Sequence, residues 1–192
     1  MPKLTIRDLK KMKAEGEPIS AATVYDYAGI HAAEEAEIEI LIPHDWEMGM
    51  TLFGNASPVG VTLHQVLFYL KAVVKSAQRG FIAAPMPFGT YQISPEETIR
   101  NAATLMKEGA DSVILQGGGP TIEMVWRLCE VGINCLGHLG YTPHRAKELG
   151  VERMMGLSAD EAERIYRDAV ALHEAGAWGV ILQNVPEAVS RV

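Results

Sequence analysis

Six short, near-continuously apolar runs punctuate the chain: ISAATVYD (19–26), IEILIPHD (38–45), GFIAAPMP (80–87), DSVILQGG (111–118), INCLGHLG (133–140) and WGVILQNV (178–185). Strands buried on both faces read this way, without a polar residue at every second position. The segments between them have helical periodicity. In SPEETIRNAATLMKEG the apolar positions Ile99, Ala102, Ala103 and Met106 recur at i, i+3, i+4 and i+7, and Gly109 follows where a left-handed residue closes a helix. Thr62 with Gln65, Ser94 with Glu97 and Ser158 with Glu161 have capping-box spacing, and Pro95 suits a first helical position. The pattern predicts a regular alternation of strand and helix.

Two of the units echo each other. EGADSVILQ (108–116) and AGAWGVILQ (175–183) share Gly-Ala-x-x-Val-Ile-Leu-Gln. Equivalent strands of a barrel produce such an echo, and a doubly wound sheet produces a similar one. The expected fold class is α/β, a (βα)8 TIM barrel forming one domain over residues 1–192, with about six βα units visible. A full barrel takes ~250 residues. The last two units are therefore expected to lie outside this sequence, the alternative being an open barrel whose edges another subunit covers.

Parallel βα repeats gather ligand chemistry at the carboxyl ends of their strands. Those ends carry Tyr25 and Asp26; His44, Asp45, Trp46 and Glu47; Pro85; Gln116; His138; and Gln183 with Asn184. Composition narrows the partners. A net charge of −7 without a Lys/Arg block excludes a nucleic-acid surface. No run approaches the ~18 apolar residues of a membrane span, and the first residues lack the apolar region of a signal peptide, so a cytoplasmic location is expected. Cys129 and Cys135 lack metal-ligand spacing and read as reduced core thiols.

Five stretches, ATVYDYA (22–28), MGMTLFGNASPVGVTL (48–63), MPFGTYQISPEETIRNAATLMKEGAD (86–111), GHLGYTP (137–143) and NVPEAV (184–189), resemble the ketopantoate hydroxymethyltransferase family, of the phosphoenolpyruvate mutase and isocitrate lyase superfamily. The resemblance implies a (βα)8 barrel, a magnesium ion chelating the carboxylate and keto oxygens of 2-oxoisovalerate, a Glu base, and a methylene group delivered by tetrahydrofolate. It also marks departures. The family's VGDSLGM becomes PHDWEMGM, one residue longer, so that either Asp45 or Trp46 falls on a metal-ligand position. The second metal carboxylate becomes Pro85, a substrate Lys and an acidic residue become Ile114 and Gln116, and the base becomes Gln183, while His138 is retained. Loss of a general base costs ~10²–10⁴ in rate. Loss of the metal forfeits several kcal/mol more.

The scaffold motifs are intact and the substitutions fall on inward-facing chemistry, which implies a rebuilt pocket. We expect Asp45, Glu47 and His138 as catalytic residues, with one carboxylate made more basic by desolvation. Tyr25, His44, Trp46, Gln116 and Gln183 are expected to bind a small, flat ligand in the barrel mouth, without a metal or other cofactor. A homo-oligomer is expected. In a blander alternative Trp46 caps the rim, His44 and Glu47 face solvent, and Asp45 bonds loop amides. Two further alternatives are a working magnesium-dependent transferase and a non-catalytic binding scaffold. His31, His64, His144 and His173 read as surface or packing residues, and QGGGP (116–120) as a weak anion site at a helix start.

Overall fold

The computed structural model describes residues 2–150 and 152–191. In chain order the elements are α1 (Ile6–Glu15), β1 (Ala21–Thr23), α2 (Tyr27–Glu35), β2 (Ile40–Ile42), α3 (Asp45–Phe53), α4 (Leu63–Ser76), β3 (Phe81–Pro85) and α5 (Pro95–Lys107). They continue with β4 (Ser112–Gln116), α6 (Pro120–Glu130), β5 (Cys135–Gly140), α7 (Ala146–Leu149), α8 (Ala159–Glu174), β6 (Gly179–Gln183) and α9 (Glu187–Ser190). The strands form one six-stranded sheet in the order β1 to β6, every neighbouring pair parallel. That sequential order excludes the doubly wound alternative, in which the order reverses at a switch point. The result is an α/β half-barrel, curled and open along β1 and β6.

Alternation of side chains divides two cores. Leu41, Ile82, Ala84, Val113 and Leu115 point outward to the helices, where Leu70 of α4, Leu105 of α5 and Leu172 of α8 meet them. Ile40, Phe81, Ala83, Ile114 and Leu136 point inward. Leu9 of α1 packs into this inner cluster beside residues from the strand starts, closing the end opposite the strand tips. A third cluster, Tyr141, Met155 and Ile165, lies near the strand tips with Trp46 packed against it.

The predicted strands are present but shorter, most of all β1 and β2. Thr62 and Gln65 form the full capping box, while Ser94 and Ser158 accept the expected bonds from Glu97 N and Glu161 N. Cys135 is buried and Cys129 half-buried, both as free thiols. Helix α3 is a difference from the sequence reading, in which the second strand runs through Asp45. Asp45 and Glu47 occupy its first turn, where negative charge complements the helix N-terminus, and Gly54 ends it with φ 65°. Met48 is fully buried beneath it.

Leu70 and Phe68 on α4 separate the packed face from the free one, since Leu70 is fully buried and Phe68 is 66% exposed. Urea unfolding should find Leu70→Ala destabilised by about 2–5 kcal/mol and Phe68→Ala changed by less than about 0.5 kcal/mol.

Candidate functional site

The strand tips bring together residues far apart in the chain. Asp45, wholly buried at the start of α3, accepts a hydrogen bond on Oδ2 from His144 Nε2 at 2.7 Å. His144 sits on the short turn Pro143–Arg145 beyond β5. Its Nδ1 lies 3.1 Å from the Tyr91 hydroxyl and its backbone N–H donates to Gln116 Oε1 at 3.1 Å. The Tyr91 hydroxyl donates to the Gln116 carbonyl oxygen at 3.1 Å, and burial pushes its pKa up. A buried chain thus runs from the end of β4 through Tyr91 and His144 to Asp45.

A second group stands beside it. His44 Nδ1 is 2.7 Å from Glu47 Oε2 and 3.7 Å from Asp45 Oδ1, in short but poorly aligned charge contacts. Burial opposes a charged ring, yet Glu47 and Asp45 outweigh it and raise the pKa of His44. Burial likewise opposes charge on the two carboxylates. His144 with His44 holds Asp45 below the usual carboxylate range, and His44 does the same for Glu47. On β5, His138 lies 3.0 Å through Nε2 from Gln183 Oε1. The amide oxygen only accepts, so Nε2 carries the hydrogen and Nδ1 keeps its lone pair. Burial, then the nearby His44 charge, pulls the His138 pKa to about 4. Nδ1 of His138, Nε2 of Gln116 and Oδ1 of Asp45 are buried without hydrogen-bond partners.

A cavity of about 550 Å³ opens at this end, with His44, Trp46, Glu47, His138 and Gln183 on its wall. Gly140, with φ 84°, brings the tips of β5 and β6 close together: the Tyr141 N–H donates to the Gln183 carbonyl at 2.9 Å, and a Cβ on Gly140 would lie 2.2 Å from that oxygen.

Five of the expected site residues therefore line one cavity, and three do not. Asp45 and Gln116 lie behind the wall in the buried chain. Tyr25 packs against the outer core and is off the wall, because β1 ends at Thr23, three residues earlier than expected. The expectation of a carboxylate made more basic by desolvation is corrected: His44 and His144 stabilise the charged forms of Asp45 and Glu47 more than burial opposes them. Of the two readings offered for His144, the surface one is excluded: it is 5% exposed and has a polar partner at each ring nitrogen. Its position just past the GHLGYTP tip was the available signal. Tyr91, in MPFGTYQ, was missed as well. Trp46 belongs to both readings, packed into the rim cluster while lining the cavity. His44 is 9% exposed, so it does not face solvent. The start of α6 does not support the anion reading, since a Cβ on Gly118 would lie 2.2 Å from the Asp168 carboxylate carbon. A carboxylate already stands there. Among the described residues no group of three His, Cys, Asp or Glu side chains could hold a metal ion, and none of the helices is long and apolar enough to cross a membrane.

This sequential half-barrel, with its polar cluster at the strand tips, has the fold of the phosphoenolpyruvate mutase and isocitrate lyase proteins. It matches 2,3-dimethylmalate lyase, a member of that superfamily, with TM-score 0.70 and 14% identity over 100% of this chain and 65% of the other. It matches a phosphonopyruvate hydrolase solved with oxalate and Mg²⁺ with TM-score 0.70 and 11% identity over 94% and 63%. The chain belongs to the ketopantoate hydroxymethyltransferase family, whose sequence model matches residues 3–192. Relatives named 3-methyl-2-oxobutanoate hydroxymethyltransferase include that of Carboxydothermus hydrogenoformans, 39% identical over 99% of this chain and 69% of the relative. Those of Thermococcus kodakarensis (38%; 100% and 67%) and an Azoarcus species (41%; 97% and 69%) are similar. The chain spans about two thirds of the length of the relatives and the solved structures it matches.

Removing His144 strands a buried carboxylate. His144→Ala should lower unfolding stability by about 3–5 kcal/mol, and His144→Gln, whose amide still donates, should recover part of it in the same urea titration. An unfolded imidazole has pKa ~6.5, and folded His138 is held to about 4. Its contribution to stability is therefore complete above the unfolded value and is lost as pH falls through the folded one. Imidazole nitrogen shifts should report His138 neutral down to about pH 4, with His44 titrating above its ordinary value.

Proposed function

We propose that this member of the family works without a metal ion, that methylene-tetrahydrofolate-dependent hydroxymethyl transfer to 2-oxoisovalerate is lost in it, and that its rebuilt mouth binds another small molecule. The observation that carries this reading is the state of Asp45. A magnesium ion needs several oxygen ligands free to surround it. Oδ2 of Asp45 is taken by His144, and only Oδ1, buried 3.7 Å from His44 Nδ1, is left without a hydrogen-bond partner. The amide oxygens of Gln116 and Gln183 are likewise engaged, by His144 N–H and His138. Pro85 has no side-chain donor. The negative charge a metal would answer is answered by imidazole, and the donor set does not fit the ion.

What remains on the wall is a proton-exchanging pair. Glu47, with 41% of its side chain exposed, can accept a proton from a ligand, and the adjacent His44 can return one. Trp46 offers a flat apolar surface beside them, and His138 with Gln183 orients polar groups. Asp45, sealed and paired, holds His44 and α3 in position instead of meeting the ligand. The relatives' shared name favours a working magnesium-dependent transferase as the second reading.

Calorimetric titration separates the two. Mg²⁺ and 2-oxoisovalerate, added singly and together, should give no mutually dependent binding. Tight binding of each that requires the other would overturn the proposal.

A further inference from the structure

The charges around the mouth cavity say what kind of molecule it suits. Its wall carries two carboxylates, Glu47 and Glu152, and among the described residues that line it there is no Lys or Arg. Of the two imidazoles there, burial keeps His138 neutral, and His44 already faces Glu47 and Asp45. An anionic oxoacid would have to shed its water against this surplus of negative charge with no free cation to receive it. The unused hydrogen-bonding capacity has the same bias. His138, 1% exposed, keeps an unpartnered lone pair on Nδ1, and Glu47 Oε2 has no aligned donor. Among the described residues Glu152 accepts only from Asn184 Nδ2, at 2.9 Å on Oε1. These are acceptors waiting for donors. Trp46 adds an indole face, to which a cation is drawn by the ring quadrupole, and Ile42 and Ile181 add an aliphatic floor.

We infer that the cavity takes a small primary ammonium compound, an aliphatic amine or amino alcohol, whose three N–H donors meet the acceptors of Glu47, Glu152 and His138 while its carbon chain lies against Trp46. The inference deepens the metal-free reading above and rests on it. The ligand polarity is opposite to that of the 2-oxoacid which the family resemblance implies.

Three matched probes test it on the full chain: 3-methylbutylammonium, 3-methylbutan-1-ol and 3-methylbutanoate, followed by the indole N–H resonance of Trp46, which is assigned with Trp46→Phe. The ammonium should bind at least about tenfold more tightly than the alcohol, equivalent to ~1.4 kcal/mol, and the carboxylate should leave the resonance unmoved. Glu47→Gln and Glu152→Gln, each checked for an unchanged melting temperature, should each weaken ammonium binding about tenfold. Carboxylate binding equal to or tighter than that of the ammonium overturns the inference. So does silence from all three probes, or ammonium binding that neither variant weakens. Failure here without any Mg²⁺-dependent binding of 2-oxoisovalerate removes the ligand class alone; that cooperative binding would remove the metal-free reading as well.

Discussion

A fully buried carboxylate must be answered by something, and here the answer is imidazole. Asp45 and His144 stand 99 positions apart in the chain and meet at 2.7 Å. Their contact ties the start of α3 to the turn after β5. The same carboxylate supports the charge on His44, and His44 in turn holds Glu47 ionised. The polarity of the cavity wall follows from that sequence of dependencies. Desolvating Asp45 is costly, and the cost is offset only while both rings keep their places. Tyr91 and Gln116 do that keeping for His144, through contacts at 3.1 Å to its ring and its backbone.

The sequence made the scaffold legible because the scaffold is local. Capping residues three apart, the 3.6-residue apolar period of α5 and the uninterrupted apolar runs of β3 and β4 all concern neighbours in the chain. The number of strands, their alternation with helices and the gathering of His44, Trp46, Glu47, His138 and Gln183 at the strand ends could be read from these, while the sequential strand order needed the structure. What stayed hidden depends on distant partners. Nothing near His144 in sequence announces a carboxylate ninety-nine positions away, and nothing near Asp45 indicates that two rings outweigh its burial. The same limit misplaced Tyr25, whose direction depends on where a three-residue strand stops, and left α3 unannounced, its first residue Asp45 having the look of a strand end.

Family membership and site chemistry draw on different residues. The likeness to the hydroxymethyltransferase relatives extends over nearly all of this chain. The positions on which our proposal turns, Asp45, His44, Gln116, Gln183 and Pro85, are few and lie at strand tips. A comparison averaged over the whole chain is dominated by the scaffold and carries little weight from a handful of tip residues.

The close crossing at Gly140 bears on how such a protein changes over time. The bare backbone at that point lies against the main chain at the end of β6, so the spacing of the strand tips that carry His138 and Gln183 is held by peptide groups. Spacing and cargo are thereby uncoupled: the rings and amides carried at the two tips can be exchanged without moving the strands. Such a fold can explore new chemistry by small steps, provided Gly140 stays bare.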